Sequence, residues 1–171
     1  MCRQEDWPSG EQEHLREQAM ADHIWNVYLA GEIHSDWRRK IIEGVRRHKL
    51  PIEFGGPVTD HTASDTCGEK ILGTASDSFW RDHRAANINA IRTSGLIRWA
   101  DIVVVSFSEK YRQWNAAFDA GFAAALGKAI ITLHPTQFDH ALKEVDSAAR
   151  VTTRTPEQVV EVLVYVVQGG G

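Results

Sequence analysis

The sequence has few cysteines and no long hydrophobic run. Only Cys2 and Cys67 occur among 171 residues, and their spacing matches no metal-binding motif. Because Cys2 lies in a polar terminal segment, the pair is typical of a reducing, cytoplasmic compartment rather than of a disulfide. No apolar run is long enough to cross a bilayer, and the N-terminus lacks the apolar core of a secretory signal peptide. We therefore predict a cytoplasmic protein without a membrane partner.

The chain also lacks a strong charge of either sign. Its formal net charge is −4, which argues against a nucleic acid polymer as partner. The histidines do not have ligand spacing, so no metal is expected; the four considered are His61, His83, His134 and His140. The GxGxxG fingerprint of dinucleotide sites is absent as well. We accordingly expect no cofactor.

What the sequence does contain is an alternation of strand-like and helical segments. The length and the 43% apolar content fit one domain with a real core. Two continuous apolar runs, at 101–107 and 129–133, are typical of strands buried on both faces of a parallel sheet. The alternation predicts an α/β fold, a flavodoxin-like three-layer sandwich with a five-stranded parallel sheet in the order 2-1-3-4-5.

The bounds of these predicted elements follow from apolar spacing and from turn residues. Strands are predicted at 24–30, 52–54, 101–107, 129–133 and 149–152, and helices at 35–48, 79–100 (broken near Ser94-Gly95), 115–126, 136–146 and 155–167. The polar stretch 55–79 is predicted to be a long loop. In domain terms, we predict a polar extension over 1–23, with a short helix at 11–20, one domain over 24–168, and a flexible tail over 169–171.

A ligand site is expected where the first and third strands end. In doubly wound sheets, ligands bind at the carboxyl ends of the strands, at the point where the strand order reverses. Here the first strand runs into Gly31, and Ser35 is expected to cap the next helix, whose free N–H groups could hold an anion such as phosphate. Gly31 either lets a ligand approach the backbone or serves only the geometry of the turn.

Asp119 is the most conspicuous candidate residue. It is the only charged residue between Asn115 and Leu126, in a segment that is otherwise small or apolar. A lone carboxylate in such surroundings is costly unless something uses or pairs it. With Asn115 as the N-cap, the helix dipole would help to keep Asp119 ionised, and such a carboxylate can attack an oxocarbenium-like sugar carbon. The plain alternative is an Asp paired with a nearby Arg or Lys.

Other polar and aromatic residues are expected to border the same crevice, although each could equally be an ordinary surface or structural residue. The candidate substrate-binding set is Gly31, Glu32, His34, Trp37, Asp60, His61, Asn89, Arg92, Ser106, Gln113 and Asn115.

Two sequence blocks carry a resemblance to a known family. The segments VYLAGEIHSDWR at 27–38 and QWNAAFDAGFAAALGK at 113–128 closely resemble the YtoQ family, which is similar to the nucleoside 2-deoxyribosyltransferases. The resemblance covers about residues 24 to 167. In deoxyribosyltransferases a Glu attacks C1′ of the nucleoside and forms a covalent glycosyl-enzyme. The resemblance implies that role for Asp119, and it also implies a homodimer or a higher homo-oligomer.

The chain departs from the deoxyribosyltransferase pattern at two positions. Asp119 is one methylene shorter than the Glu of that family, so it must be presented about an ångström closer to the sugar. Gln113 stands six residues earlier, where the family has an Asp, and an amide cannot act as an acid or a base.

Two functions are therefore expected, with a nucleoside or a nucleotide as the ligand in both. The first is cleavage or transfer at the N-glycosidic bond through the Asp119 carboxylate. The second is binding of a nucleotide or a sugar phosphate without turnover on the same fold. Chemistry on a phosphoribosyl or NAD-derived substrate is not separated from the first by the sequence.

Overall fold

A computed structural model describes residues 23–109 and 113–169. Its strands form one parallel sheet in the order β2-β1-β3-β4-β5, which confirms the predicted fold and strand order. The strands are β1 (Trp25–Gly31), β2 (Ile52–Gly55), β3 (Ile102–Ser106), β4 (Ala129–Leu133) and β5 (Val151–Thr153). The helices are α1 (Trp37–Arg47), α2 (His61–Leu72), α3 (Ser78–Trp99), α4 (Trp114–Ala125), α5 (Lys143–Ala148) and α6 (Pro156–Gln168), with one 3₁₀ turn at Thr136–Phe138.

The two faces of the sheet carry two separate hydrophobic cores. Alternate residues of a strand point to opposite faces, so Val27 and Leu29 pack with α1 and α6. Tyr28 and Ala30 pack on the other face, with α3 and α4. The same alternation along β3 assigns Val104 to the α1/α6 face. This division decides which side chains can meet at the end of the sheet.

The predicted loop over 55–79 is wrong in its central part, because His61–Leu72 forms helix α2. The Asp60 side chain caps this helix by accepting a hydrogen bond from the Ala63 N–H at 2.9 Å. Helix α2 packs on α3, and Gly68 allows close contact, since a Cβ there would lie 2.8 Å from the Ala85 nitrogen. The apolar spacing in α2 is weak, so its stability depends on the cap and on this packing.

Four other predictions about these elements need correction. Helix α3 runs unbroken through Gly95, because the cost of one glycine, about 1 kcal/mol, is outweighed by packing. The predicted helix over 136–146 is a 3₁₀ turn followed by the short helix α5, and β5 begins two residues later than predicted. Ser35 does not cap α1, whose N-cap position is Asp36 and carries no side-chain cap bond.

Within the described residues, no helix is long and apolar enough to cross a membrane. The predicted helix at 11–20 lies outside the described residues. The predicted extension and tail stay predictions.

Candidate functional site

The ends of β1 and β3 meet at Gly31 and Ser106, which are partners in the sheet register. Gly31 has a φ of 108°, a conformation that favours glycine. A Cβ at this position would lie 2.1 Å from the Ser106 carbonyl oxygen. The neighbouring strand therefore requires a glycine here whether or not a ligand approaches.

The loop after Gly31 is organised by a buried carboxylate. The Glu32 Oε2 atom accepts hydrogen bonds from the N–H groups of His34 and Ser35, at 2.8 and 3.2 Å, and its Oε1 atom accepts one from the Ser35 hydroxyl. This contact explains why Ser35 does not cap α1. The Glu32 carboxylate therefore stabilises the conformation of its own loop.

Arg38 holds the same loop from the side of α1. Its guanidinium donates to the carbonyl oxygens of Leu29 at 3.0 Å and Gly31 at 2.9 Å, and also to that of Glu32. Burial lowers the pKa of Arg38 to about 10, although the Glu32 charge acts in the opposite direction. The guanidinium also lies 4.4 Å from the Trp37 ring centre. Sequence reasoning missed Arg38, since nothing in the linear pattern shows that its side chain reaches back to β1.

Trp37 contacts both the loop after Gly31 and the hydrophobic core. Its ring is buried, and its Nε1–H donates to the Glu32 carbonyl oxygen at 3.0 Å. This placement makes Trp37 a structural residue of the α1/α6 face.

Asp119 is the only charged side chain in α4. Its carboxylate is partly buried and, within residues 23–109 and 113–169, makes no hydrogen bond or ion pair. Burial raises its pKa to about 6. The expected stabilisation of the ionised form by the helix dipole is therefore outweighed. Helix α4 starts at Trp114 with Gln113 at the N-cap position, so Asp119 lies in the second turn rather than close to the helix start.

Tyr28 is the electrostatic neighbour of Asp119. Burial, followed by the Asp119 charge, raises the pKa of Tyr28 to about 12, and Thr93, Arg38 and Arg92 act against this shift. The hydroxyl is buried, and its contact with Thr93 is too poor for a regular hydrogen bond, so it has no such partner among the described residues. Strand alternation could have placed Tyr28 on the α4 side of the sheet, but its electrostatic interaction with Asp119 depends on how α4 packs on the sheet.

Gln113 closes the loop that leads into α4. Its Oε1 atom accepts a hydrogen bond from the Ser108 N–H at 2.9 Å, and its Nε2 atom donates to the Ser108 hydroxyl at 3.0 Å.

Asn115 is exposed at the second position of α4. Trp114 and Phe118 are also exposed on α4, at 72% and 76%. The expected homo-oligomer stays a prediction.

Helices α2 and α3 border the crevice on the remaining side. The His34 and His61 rings lie 6.2 Å apart, so the loop after β1 faces the start of α2. The His61 Nδ1 atom is also 2.9 Å from Asp65. Asn89 instead ties α3 to α2, since it donates to the Ser64 carbonyl and hydroxyl oxygens, both at 3.1 Å.

Of the candidate residues, the structure brings some to the crevice and gives others a structural contact. Those at the crevice are Gly31, His34, His61, Arg92 and Asp119, with Asn115 at its edge. Ser106 ends β3 beside Gly31, with its side chain directed to the α1/α6 face. Those engaged in holding the backbone are Glu32, Trp37, Asp60, Asn89 and Gln113.

A second group of charged residues lies at the ends of β4 and β5. The buried His134 ring places its Nε2 atom 3.0 Å from the Asp146 carboxylate. Burial opposes the ionised form of Asp146, but hydrogen bonds from Thr132 and His134 outweigh it and lower the pKa of Asp146. Arg154 donates to Asp139 at 2.6 Å. Sequence reasoning considered His134 only as a metal ligand and missed this network.

The fold is shared with solved structures of low sequence identity. A conserved protein from Enterococcus faecalis V583 is 15% identical, with 81% of this chain and 96% of that chain covered and a TM-score of 0.56. A 2-deoxyribosyltransferase from Bacillus psychrosaccharolyticus is 17% identical, with 79% and 90% covered and a TM-score of 0.50. The REC domain of the response regulator AraT from Geobacillus stearothermophilus has a TM-score of 0.51 at 15% identity, with 86% and 95% covered. These likenesses show the fold alone, which serves different functions.

Comparison of the sequence identifies the family, which the shared fold does not. The model of the family described as nucleoside 2-deoxyribosyltransferase YtoQ matches residues 28–167, a range that contains both Tyr28 and Asp119. The uncharacterized protein YtoQ of Bacillus subtilis (strain 168) is 45% identical over 139 residues, which are 81% of this chain and 94% of that protein. The chain therefore belongs to the nucleoside 2-deoxyribosyltransferase YtoQ family.

Proposed function

We propose that the protein cleaves or transfers at the N-glycosidic bond of a nucleoside or a nucleotide, with the Asp119 carboxylate as nucleophile. The observation that carries this proposal is the state of Asp119: a desolvated carboxylate with no pairing partner among the described residues, at the end of the sheet where ligands bind in this fold. A structural Asp would be expected to have found such a partner.

The chemistry follows from the atoms available. A carboxylate oxygen of Asp119 attacks C1′, the C1′–N bond breaks, and its electron pair leaves with the base, which takes up a proton. The resulting glycosyl ester is then attacked at C1′ by a second base or by water, and this step frees the carboxylate. With a pKa of about 6, Asp119 is mostly ionised at neutral pH, as a nucleophile must be.

Tyr28 supports this role through position rather than through proton transfer. Its pKa of about 12 keeps the hydroxyl protonated at neutral pH, so it can act as a hydrogen-bond donor but does not give up its proton. A buried donor beside a carboxylate can orient that carboxylate when a ligand excludes water. Arg92, whose charge also reaches Tyr28, is exposed on α3 and available to a ligand.

Binding without turnover is the second candidate, and one contact favours it. Gln113 stands where deoxyribosyltransferases have an Asp, and both ends of its amide are engaged with Ser108. An amide that closes its own loop cannot handle a proton for the leaving base. In this case a nucleotide or a sugar phosphate would raise the melting temperature without being consumed.

The test is incubation with a panel of deoxynucleosides, nucleosides and their 5′-monophosphates, with and without an acceptor base, followed by chromatography. Base release or exchange is expected for the wild type and not for Asp119→Asn. Asp82→Asn is the matched control, because it makes the same change at an exposed carboxylate of α3. Absence of any base release or exchange, or full activity in Asp119→Asn, would contradict the proposal.

A further inference from the structure

A cavity lies beyond the carboxyl ends of the strands, mainly on the side of α1 and α6. Its volume is about 390 Å³, and it is bordered by the loops that follow β1, β3, β4 and β5. Its buried apolar lining includes Trp37, Phe107 and Leu133. Asp119 does not line it, so the proposed nucleophile gives this cavity no role.

Ser106 reaches this cavity with an unused hydroxyl. The residue is only 5% exposed, and strand alternation after Ile102 and Val104 directs its side chain to the α1/α6 face. In the described part of the chain its hydroxyl has no hydrogen-bond partner. The Ser106 Oγ atom is not fully enclosed, so it is open to a ligand from the cavity side.

The start of α1 opens into the same space. Ser35, Asp36 and Trp37 line the cavity, and no side chain among the described residues caps the helix. Ser35, the expected cap, is bonded to Glu32 instead. The N–H groups of the first turn are therefore free to bind an acceptor, and the helix dipole favours a negatively charged one.

Two basic side chains and three acidic ones line the cavity, and they differ in how many of their polar atoms already have a hydrogen bond or an ion pair. Arg154 uses Nη1 for Asp139, while its Nε and Nη2 groups make no hydrogen bond within the described residues. Lys40 lies 3.4 Å from an Asp36 oxygen and remains half exposed.

The three carboxylates have partners of their own. Glu32 accepts three hydrogen bonds from its loop. Asp36 is bound by Arg39 at 2.8 Å as well as by Lys40, and Glu109 is bound by Gln137. One oxygen of Glu109 has no hydrogen bond among the described residues, and the other unbonded groups that face the cavity are donors, which suit an acceptor-rich ligand.

We propose that this cavity binds a phosphate group, held by the Ser106 hydroxyl, the first-turn N–H groups of α1, Lys40 and Arg154. Phosphate offers several acceptor oxygens and negative charge in a compact volume. The group could belong to free phosphate or to a phosphate monoester such as a nucleotide. Phosphate binding stands without the proposed function, and only its assignment to the 5′ position of a nucleotide substrate rests on that function.

The test is titration calorimetry with inorganic phosphate, 2-deoxyribose 5-phosphate, a nucleoside and its 5′-monophosphate. Phosphate compounds are expected to bind, and Ser106→Ala and Lys40→Ala are each expected to weaken them about 3- to 10-fold, the size of one hydrogen bond or ion pair. Arg47→Ala is the control, since it removes the same charge from the far end of α1. Lys40 is a surface residue, so its variant keeps the test valid even if Ser106→Ala does not fold.

The remaining outcomes distinguish free phosphate from a nucleotide as the ligand, and the phosphate site from the proposed function. Tighter binding of the monophosphate than of phosphate and of the nucleoside assigns the group to a nucleotide, whereas equal binding of phosphate and monophosphate assigns it to free phosphate. No binding at millimolar phosphate, or equal loss in Lys40→Ala and Arg47→Ala, would overturn the site. Asp119→Asn should still bind phosphate, so base release without phosphate binding refutes only this inference, and phosphate binding without base release refutes only the proposed function.

Discussion

Asp119 and Asp146 are both partly buried aspartates near the same end of the sheet, yet their surroundings oppose each other. Asp146 receives hydrogen bonds from Thr132 and His134, and its pKa is lowered. Asp119 receives none from the described residues, and burial raises its pKa to about 6. The ionised Asp146 stabilises the folded state, whereas the ionised Asp119 destabilises it. A carboxylate that lowers the stability of the fold is the better candidate for a catalytic residue.

The largest expected effect is the separation of activity from stability at Asp119. Asp119→Asn should reduce base release by about 10³-fold or more, because the nucleophile is lost. The same variant should be more stable by roughly 1–2 kcal/mol at pH 8, a value discounted from the pKa shift for partial exposure. Urea unfolding and product chromatography measure the two effects. A variant that is both inactive and unstable would contradict this comparison.

The opposite result is expected at Asp146. Asp146→Asn should lower the free energy of unfolding by about 2 kcal/mol, because a neutral amide replaces the charged acceptor of Thr132 and His134 and puts a donor at one of its two oxygen positions. Activity at 25 °C should stay near that of the wild type, since Asp146 lies on a different network from Asp119. Urea unfolding at pH 7, with base release measured on the same samples, checks both statements. Asp82→Asn again serves as the control.

The pH dependence of the two carboxylates should also run in opposite directions. The folded-state pKa of Asp119 is raised, so its destabilising effect is fully present above about pH 6 and is relieved as the pH falls towards the unfolded value near 4. The stability difference between the wild type and Asp119→Asn should therefore shrink between pH 7 and pH 4. Asp146 has a lowered pKa, so its stabilising contribution is lost only as the pH falls below about 4.

Urea unfolding between pH 8 and pH 3, in steps of one pH unit, measures these trends. In the same range kcat/KM should fall as the pH drops below about 6, where Asp119 becomes protonated. A stability difference that grows as the pH falls would show that Asp119 is not desolvated in solution.

The smallest expected effect concerns the hydroxyl groups beside each carboxylate. Thr132→Val removes a donor to Asp146 at 2.7 Å and should cost about 1–2 kcal/mol. Tyr28→Phe removes a hydroxyl that has no regular hydrogen bond among the described residues, and should change stability by less than about 1 kcal/mol. Thermal unfolding of both variants decides this. Equal costs would mean that Tyr28 already has a partner in solution.

The strands were predictable because their apolar runs depend on burial, which the sequence shows directly. The runs over 101–107 and 129–133 indicated buried parallel strands, and the alternation of strands and helices in a chain of this size indicated the order. Helix α2 was missed because its stability comes from a cap at Asp60 and from contact with α3, neither of which changes local hydropathy. Loop contacts such as the one between Ser35 and Glu32 also override a good capping residue.

For the candidate site, the sequence indicated Asp119 as an isolated charge but gave the wrong reason for its ionisation state. Its pKa depends on how far neighbouring elements remove it from water, and this is a property of the packed structure. Tyr28 and Arg38 were missed for the same reason, since each acts across the sheet or back along the chain. The sequence also indicated an anion site at the start of α1 and listed Ser106 among the substrate-binding candidates, and both stay predictions.

The tight contact between Gly31 and the Ser106 backbone has a practical consequence for mutagenesis. The two faces of the sheet share this single piece of main chain, with the Asp119 crevice on one side and the phosphate cavity on the other. Any side chain at position 31 must displace Ser106, since a Cβ would lie 2.1 Å from its carbonyl oxygen. A substitution there disturbs both faces at once, so side-chain variants away from this contact, such as those at Asp119 and Lys40, report on one site independently of the other.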